Sequence, residues 1–497
     1  MTVRLIRVHP DDNVGVLLGP VDAGVAMIGP DGALIAQETI ARGHKIALVD
    51  LPAGSAIVKY GYPIGSLDQP VRAGEWVHSH NLTTDLSEGG PQPQFSGSIA
   101  PALPLASDLT FQGYRRADGR VGTRNELWVI NTVGCVNHAA TIIAEQAQIR
   151  FGHLIDGAHA FVHPFGCSQL GDDLAMTQRI LAGLIRHPNA GGVIVVGLGC
   201  ENNQLAALMA AARGVDRARV RFFNAQEVED EIEEGLAAAA ELVDVMRHDA
   251  RTPCPLSDLV IGVKCGGSDG LSGLTANPLV GRITDRTTAA GGTIILSEVP
   301  EMFGAEQHLL KRAADRATFD KANAMIEGFK RYFIDHGQPV YENPSPGNKA
   351  GGLTTLEEKS LGAVQKGGGA TITQVLDYGE AVGKGGMALL RSPGNDAVSS
   401  TAEVASGATL LLFTTGRGTP LGFPVPTIKI ASNDDVARRK PQWIDFSAGP
   451  LLDGIPMDSV SQTCMDLILA IASGRRLTRN EENGIREIAI WKDGVTL

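Results

Sequence analysis

The sequence predicts an α/β protein in which a small N-terminal all-β module precedes a large α/β domain with a mainly parallel sheet. Two observations support this prediction. Residues 1–84 consist of short apolar runs separated by Gly or Pro, with little helical periodicity, which is typical of strands joined by turns. From residue 111 onwards, apolar runs alternate with longer Ala-, Leu- and Glu-rich stretches, which is typical of βαβ units and a parallel sheet.

Three segments follow one another along the chain of 497 residues. The β module covers residues 1–84 and includes the strand candidates VRLIRVH, HKIALVD, AIVKYG and WVHSH. Residues 85–110 are dominated by Pro, Gly and Ser and are interpreted as a linker. Residues 111–497 form the α/β domain. Within it, HDARTPCPLSD interrupts a helix near residues 250–257, so the domain has two halves or divides into two separate domains.

The overall composition excludes several classes of function. A formal net charge of −12 and the absence of a long basic run argue against nucleic acid as a partner. No stretch reaches the ~18 apolar residues of a membrane span, and the N-terminus lacks an apolar signal core, so no membrane partner is expected. Six cysteines without regular spacing do not resemble a disulfide framework, and thiols kept reduced in a cytoplasm are expected.

Four cysteines share the same local setting. Cys135, Cys167, Cys200 and Cys265 each end or closely follow a short apolar run, and small or polar residues come next. This pattern indicates a buried strand that ends in a loop. If the four strands share one parallel sheet, the thiols lie at its carboxyl edge, where ligands bind in such sheets. The alternative is that each cysteine is a small apolar core residue; the repeated context favours function.

Two histidines at the end of the β module are candidate metal ligands. His78 and His80 are separated by one residue, so in a strand both imidazoles point to the same face and can reach one ion. The alternative is a pair of surface histidines at a strand end. Their position just before the linker, facing the second domain, favours a metal-binding or catalytic role.

Proton-transfer candidates occur in two places. His44 and Lys45 follow Arg42 and Gly43, and a lysine beside a histidine can bind a carboxylate and move a proton; the alternative is a solvated turn. Glu298 and Glu301 lie in SEVPE at the end of the strand candidate GTIILSEV, and either can act as a general base or cap the next helix.

Candidate anion-binding residues follow other strands. Lys264 and Ser268 belong to KCGGSDG, a turn with exposed backbone N–H groups and a cation, and Asn277 comes shortly afterwards. Arg417 lies between two glycines in TGRGTP, after the strand candidate TLLLFTT. Arginine can bind a carboxylate through two hydrogen bonds, and flanking glycines permit close approach.

Long blocks throughout the chain resemble one enzyme family, the altronate and galactarate dehydratases of bacterial sugar-acid catabolism. The resemblance implies an N-terminal SAF-type (β-clip) module joined to a catalytic α/β domain, and it covers nearly the whole length. The blocks that carry it are GHKIAL, KYGYPIG, HSHN, GRVGTRNELW, TVGCVN, GCSQLGDD, GLGCENNQ, KCGGSDGLSGLTANPLVG, SEVPEMFGAE, YENPSPGNKAGGLTTLEEKSLG, PGNDAVS, TGRGTP and REIAIWKDGVTL.

The resemblance implies the metal-dependent loss of water from an anionic sugar acid in a homo-oligomeric enzyme. The expected reaction is D-altronate to 2-dehydro-3-deoxy-D-gluconate in hexuronate catabolism, with galactarate or a related hydroxy acid as the alternative substrate. Ferrous iron is the expected cofactor, with Mn²⁺ or a cysteine-ligated iron–sulfur cluster as alternatives. A carbohydrate-binding module on an inactive scaffold is a different class of function, and the intact Cys, His and Arg blocks argue against it.

Each candidate residue then has an expected role. The metal ligands are His78, His80, Cys135, Cys167 and Cys265; the proton-transfer residues are His44, Lys45 and Glu298; the substrate-binding residues are Lys264, Ser268, Asn277 and Arg417.

Overall fold

Within residues 3–29 and 31–86, nine short strands build the N-terminal module. A computed structural model of the protein describes residues 3–29, 31–86, 93–97 and 108–497. The strands form two sheets, ordered β4-β3-β1-β2-β5-β8 and β6-β7-β9. They are β1 Val3–Ile6, β2 Val14–Leu17, β3 Ala26–Gly29, β4 Gly32–Ile35, β5 Lys45–Ala47, β6 Ala56–Lys59, β7 Tyr62–Leu67, β8 Trp76–Val77 and β9 Leu82–Thr83. The predicted all-β character of this region is confirmed.

The module has a core of its own and also joins the core of the larger domain. Leu5, Met27 and Ile46 pack together inside the first sheet. By contrast, Ile57 and Ile64 of the second sheet belong to the large apolar cluster of the α/β domain. This shared burial fixes the module against the rest of the chain, because removing apolar surface from water is the main favourable term in packing.

The predicted linker, residues 85–110, lies only partly within the described residues. Residues 87–92 and 98–107 of it lie outside them. The described part already enters regular structure at its end, because a strand begins at Thr110.

The first half of the α/β region contains a four-stranded parallel sheet. Its order is β13-β12-β14-β15, and helices cover it. The strands of this half are β10 Thr110–Arg115, β11 Val121–Gly122, β12 Glu126–Asn131, β13 Gly157–Phe161, β14 Ala190–Gly197 and β15 Val220–Asn224; the helices are α1 Asn137–Phe151, α2 Gly171–Ile185, α3 Leu205–Ala211 and α4 Glu231–Met246. Strands β12 and β14 are buried on both faces, as expected for parallel strands covered by helices.

The second half contains a seven-stranded parallel sheet, ordered β19-β20-β18-β17-β21-β22-β23. The strands of the sheet are β17 Val260–Cys265, β18 Thr293–Leu296, β19 Ile372–Leu376, β20 Gly386–Leu390, β21 Leu410–Thr415, β22 Thr427–Ala431 and β23 Phe446–Ser447. Strand β16 Thr252–Pro255 precedes them and lies outside this sheet. The helices are α5 Ala276–Ala289, α6 Glu306–Leu310, α7 Arg316–Asp335, α8 Pro346–Ala350, α9 Leu356–Ala363, α10 Asp396–Ala405, α11 Asp434–Arg439, α12 Met457–Ala472 and α13 Arg479–Glu482.

The predicted fold class is confirmed, with two parallel sheets in the α/β region. Strand β16 pairs with β10 and so ties the second half to the start of the first. Within the described part of the chain, no helix combines the length and the apolar character needed to cross a membrane.

Candidate active site

The seven-stranded sheet reverses its strand order around β17, and a cleft opens there. Strands β18 and β20 lie on one side of β17, whereas β21 lies on the other. In open parallel sheets such a switch point leaves a crevice outside the carboxyl ends of the strands. Here the crevice is a cleft of about 440 Å³, lined by Cys265, Gly266, Gly267, Ser268, Glu301, Asn343, Ser345, Asn348, Lys359, Gly394, Asn395, Asp396, Ala397 and Leu421.

A buried lysine joins two carboxylates at the ends of three neighbouring strands. Lys264, the penultimate residue of β17, places its Nζ against Glu298 Oε1 and 3.0 Å from Asp396 Oδ1. Glu298 follows β18, and Asp396 begins α10 after β20. Burial disfavours the charged amine, but Asp396 and Glu298 outweigh it and raise the pKa of Lys264 above its usual value. Lys264 is therefore a permanent cation behind the cleft.

Glu298 is held in a strained backbone conformation. Its φ of 66° lies in the left-handed region, which a residue with a Cβ rarely adopts. The Ser392 hydroxyl accepts its backbone N–H at 3.1 Å, and its Oε2 accepts the Cys265 N–H at 3.1 Å. Burial raises the pKa of Glu298, and the charge of Glu301 acts in the same direction. Strain of this kind is concentrated at functional sites.

A thiol and a second carboxylate complete the buried cluster. The Cys265 thiol donates to Glu301 Oε2 at 2.9 Å, and Lys359 Nζ lies 2.9 Å from Glu301 Oε1. Burial and the carboxylates of Glu298 and Glu301 raise the pKa of Cys265 to about 12, so the thiol is neutral at pH 7. Burial opposes ionisation of Glu301, but Lys359 and other lysines hold its pKa at about 2.

The donor set of this cluster suits a divalent transition-metal ion. One ligand atom each from Cys265, Glu298 and Glu301 lie within 4.8 Å of one another. Sulfur and carboxylate donors are both known ligands of such ions. The carboxylates already contact Lys264, Lys359 and, at 3.5 Å, Lys366. Metal binding therefore requires Cys265 to release its thiol proton, because the thiolate is the ligand.

The predicted substrate-binding residues occupy different settings. Ser268 lines the cleft, and its carbonyl accepts the Asn348 Nδ2–H at 2.9 Å. Asn277 is buried and bonded inside the domain, donating to Gly362 O at 3.0 Å and accepting from the Thr414 hydroxyl at 2.7 Å. Arg417 is exposed at the end of β21, where Nη1 donates to a carbonyl of the α8 segment.

His44 and His78 of the β module face the loop that forms one wall of the cleft. The carbonyl of Lys349 lies 2.9 Å from His78 Nε2, and that of Ala350 lies 3.4 Å from His44 Nε2. The two imidazole rings are 5.1 Å apart, and Trp76 Nε1–H donates to His44 Nδ1 at 3.1 Å. Burial lowers the pKa of His44 and lowers that of His78 to about 4, so both rings are neutral at pH 7.

Lys45 joins the β module to helix α9. Its Nζ lies 2.8 Å from Glu358 Oε2 and 3.0 Å from Gly352 O, while Lys59 Nζ lies 2.7 Å from Glu358 Oε1. All three charged side chains are buried. Burial opposes ionisation of Glu358, but the two lysines hold its pKa well below the usual range. The geometry places Lys45 in a domain contact, away from the residues that line the cleft.

The predicted metal ligands do not meet at one point in the described structure. Cys265 lies beside Glu298 and Glu301, but Cys135 and Cys167 follow strands of the other sheet, and His80 is exposed on the β module. The metal-binding roles of His78, His80, Cys135 and Cys167 stay predictions. The condition that all four cysteine-bearing strands share one sheet is not met, because strand pairing is decided by contacts far apart in sequence.

Sequence reasoning missed Lys359, Lys366 and Asp396. Lys359 lies in a helix that also carries Glu357 and Glu358, which reads as a charged solvated face. Asp396 follows Asn395, the residue whose side chain caps α10, so its local pattern is that of a helix start. Glu301 was considered with Glu298 as a general base or a helix cap, and no local signal separates the two.

A cleft at the switch point of a parallel sheet, backed by buried lysine–carboxylate pairs and a thiol, is the arrangement of an α/β enzyme that handles small anions. Three family models match the chain: the altronate/galactarate dehydratase SAF domain at residues 3–85, the D-galactarate dehydratase/altronate hydrolase second domain at 113–247, and the D-galactarate/altronate dehydratase C-terminal domain at 256–496. The chain belongs to this family of sugar-acid dehydratases, and it is a hydro-lyase.

Curated relatives extend over the full length. The chain is 49% identical to the altronate dehydratase of Escherichia coli strain K12, covering 100% of both chains. It is 47% identical to the altronate dehydratase of Bacillus subtilis strain 168, covering 99% of each. It is 34% identical to the galactarate dehydratase (L-threo-forming) of Escherichia coli strain K12, covering 99% of this chain and 97% of that protein.

Proposed function

We propose that the protein converts D-altronate to 2-dehydro-3-deoxy-D-gluconate and water. The substrate assignment is supported by the identities of 49% and 47% to altronate dehydratases, against 34% to a galactarate dehydratase. The observation that carries the chemistry is the cleft with Lys359 and Asp396 in its wall and Lys264 behind it. An α-hydroxy acid of this size carries one carboxylate and several hydroxyls, which match a lysine and the neutral side chains Asn343, Ser345 and Asn348.

The proposed reaction begins with removal of the proton on C2. A proton next to a carboxylate is a weak acid, so the carboxylate must be neutralised while a base accepts the proton. Lys359 is the cation in the cleft wall. Burial lowers its pKa, but the charge of Glu301 outweighs this effect and raises the pKa above its usual value. We assign Lys359 to the substrate carboxylate and Asp396 to the proton. Lys264 then holds the orientation of Asp396 and connects it to Glu298.

The second half of the reaction expels the hydroxyl on C3. The electron pair of the broken C2–H bond forms the C2–C3 double bond, the C3–O bond breaks, and the departing hydroxide takes a proton to leave as water. The remaining enol becomes the 2-keto acid by moving the proton of its C2 hydroxyl to C3. A ferrous ion held by Cys265, Glu298 and Glu301 would supply Lewis-acid polarisation of a substrate oxygen.

Ferrous iron and a cytoplasmic location are part of the same proposal. The mixed sulfur and carboxylate donor set supports iron, with Mn²⁺ as the alternative. All six cysteines are free thiols, which fits a reducing compartment.

The test is turnover of a sugar-acid panel by protein made and assayed anaerobically with added ferrous iron. D-Altronate, galactarate, D-mannonate and D-glucarate are compared, and formation of the 2-keto-3-deoxy acid is followed. Turnover of D-altronate that a chelator abolishes supports the proposal. Turnover confined to galactarate replaces the substrate, and no turnover of any member contradicts the proposed function.

Two variants test the residue assignments. Asp396→Asn keeps the size of the side chain but removes the base, and turnover is expected to fall by about 10²–10⁴-fold. Lys359→Met removes the cation of the cleft and is expected to raise KM as well as lower kcat. Lys384→Met is the matched control, because that lysine is 73% exposed and does not line the cleft. Unchanged turnover in Asp396→Asn would assign the base elsewhere.

A further inference from the structure

Three exposed thiols lie after three neighbouring strands of the four-stranded sheet. Cys135 follows β12, Cys167 follows β13 and Cys200 follows β14, and these parallel strands are adjacent in the order β13-β12-β14. Each of the three cysteines comes directly after a glycine. Because carboxyl ends of parallel strands meet at one edge of a sheet, the three Gly–Cys pairs occupy the same edge.

Backbone contacts hold the three loops together. Gly134 N–H, next to Cys135, donates to Phe165 O at 2.9 Å. Asn203 N–H, in the loop of Cys200, donates to Gly166 O at 3.0 Å. The loop of Cys167 is therefore bonded to both of its neighbours, so the relative positions of the three cysteines are fixed by the fold.

Glycine is required for this close approach. A Cβ built on Gly166 would lie 2.1 Å from Thr132 O, and its φ is 101°. Ser168, on the other side of Cys167, has a φ of 61° although it carries a side chain. The backbone thus turns sharply on both sides of Cys167, a strained arrangement of the kind that persists where a site needs it.

The exposure of these thiols distinguishes them from the other cysteines. Cys135, Cys167 and Cys200 are exposed, whereas Cys254, Cys265 and Cys464 are buried. Cysteine is among the most buried residue types, so three exposed thiols on one sheet edge are not explained by core packing. Two of the thiols contact a polar, uncharged side chain at 3.7 Å: Cys167 contacts the Ser168 hydroxyl, and Cys200 accepts from Gln226 Nε2–H.

The spacing favours a polynuclear group over a single ion. Tetrahedral zinc has Zn–S bonds of about 2.3 Å, so the sulfur atoms that bind one zinc ion lie within about 4 Å of one another. Within the described residues, these three thiols do not form a group whose ligand atoms all lie within 4.8 Å of one another. Adjacent strands are about 4.8 Å apart, so the outer two strands, β13 and β14, are separated by roughly 10 Å. A cluster several atoms across spans such a separation.

We propose that Cys135, Cys167 and Cys200 bind a four-iron iron–sulfur cluster that leaves one iron without a protein ligand. Each thiol releases its proton to solvent, and each thiolate forms one bond to a different iron. Two ferrous ions, two ferric ions and four sulfides make up the cluster, so its assembly from these ions, or its transfer as a preformed cluster, involves no net redox change. The open iron takes an oxygen ligand, such as the carboxylate or hydroxyl of a hydroxy acid. This inference goes beyond the proposed function, because it involves none of the residues of the Cys265 cluster.

The test uses the full-length protein, purified anaerobically and reconstituted with equal amounts of ferrous and ferric iron and with sulfide. The expected result is a broad visible absorption band with about four iron and four sulfide per chain. An electron paramagnetic resonance signal is expected after reduction or mild oxidation. A folded protein that stays colourless after reconstitution overturns the inference, and so does one iron per chain without sulfide.

Matched substitutions locate the cluster. Cys135→Ser, Cys167→Ser and Cys200→Ser are each expected to lose most of the visible absorption while circular dichroism shows an intact fold, since these side chains are exposed. Cys254→Ser is the control and is expected to keep the absorption. If the variant that carries all three substitutions, Cys135→Ser, Cys167→Ser and Cys200→Ser, keeps the visible absorption, the inference is overturned.

The outcomes separate this inference from the proposed function. Cys265→Ser is expected to lose turnover but keep the visible absorption, because Cys265 lies in the other sheet. Turnover of D-altronate by a protein that holds no cluster contradicts only the cluster. A cluster in a protein that turns over none of the sugar acids contradicts only the proposed function.

Discussion

The carboxyl edges of the two parallel sheets carry the same sequence pattern but different chemistry. At both edges a buried strand leads into a Cys- and Gly-containing loop. In the seven-stranded sheet the thiol of Cys265 is buried and bonded to Glu301, with lysines around it. In the four-stranded sheet the thiols of Cys135, Cys167 and Cys200 are exposed. The same motif therefore places a thiol in a buried network of charges at one edge and in an exposed position at the other, according to the side chains that pack around it.

The largest expected effect comes from removing the central charge of the seven-stranded edge. Lys264→Met leaves Glu298 buried without its main partner, and breaking a buried ion pair costs about 3–5 kcal/mol of the free energy of unfolding. Turnover is expected to fall at least about a hundredfold. Denaturant unfolding and steady-state kinetics measure the two effects. The double variant Lys264→Met/Glu298→Gln is expected to recover part of the stability but no turnover. If Lys264→Met changes neither the stability nor the turnover, Lys264 is not part of the site.

A slightly smaller effect is expected at the contact between the domains. Glu358→Gln leaves Lys45 and Lys59 buried with a neutral partner, which is expected to cost about 3 kcal/mol. Thermal unfolding of the variant measures the loss. Glu241→Gln is the control, because the Glu241 side chain is 62% exposed and forms a surface ion pair with Arg221, and such pairs contribute about 0–1 kcal/mol. Equal losses in the two variants would contradict a structural role for the buried pair.

A modest pH dependence is expected where the β module contacts the cleft wall. Burial lowers the pKa of His78 from 6.5 to about 4, so the neutral ring is favoured in the folded state. Its contribution to stability is fully present above pH 6.5 and is lost as the pH falls towards 4. Unfolding midpoints measured across this range test the prediction. His78→Asn is expected to flatten the dependence, and an unchanged slope in that variant would assign it to other buried histidines.

The smallest expected effect is a difference in chemical labelling between the exposed thiols of the four-stranded sheet and the buried thiol of the seven-stranded sheet. This test requires no substitution. In chelator-treated protein, iodoacetamide is expected to label Cys135, Cys167 and Cys200 and to spare Cys254, Cys265 and Cys464 until the chain unfolds, because only exposed thiolates react. Mass spectrometry of digested protein identifies the labelled residues. Rapid labelling of Cys265 in the native protein would place its thiol in the solvent and contradict its burial beside Glu301.

Local patterns predicted much of the fold. Apolar runs such as TIILSEV and TLLLFTT form the buried strands β18 and β21. The domain boundary predicted near residues 250–257 stays a prediction. Strand pairing was not predictable, because it depends on contacts between residues far apart in sequence. For this reason the sequence alone could not separate Cys265 from the other three cysteines.

The candidate site was predicted where its residues lie at the end of a strand or in the loop that follows it. Lys264, Cys265 and Glu298 were identified because strand ends in a parallel sheet are where ligands bind. Lys359 and Lys366 come from α9 and the turn after it, so only tertiary packing brings them to the carboxylates. His44 and His78 were identified as a pair within the β module, but their contacts with the carbonyls of the α8 segment required the structure.

The buried position of Glu358 between Lys45 and Lys59 has a consequence for how the chain unfolds. The carboxylate belongs to the α/β domain, and both lysines belong to the β module. Separating the two domains either leaves three buried charges without partners or exposes these charges to water together with the apolar side chains around them. Neither domain can therefore melt while the other stays intact around this triad. Calorimetry should show a single cooperative unfolding transition for the β module and the half of the α/β region that contains the seven-stranded sheet, although the sequence predicts them as separate units.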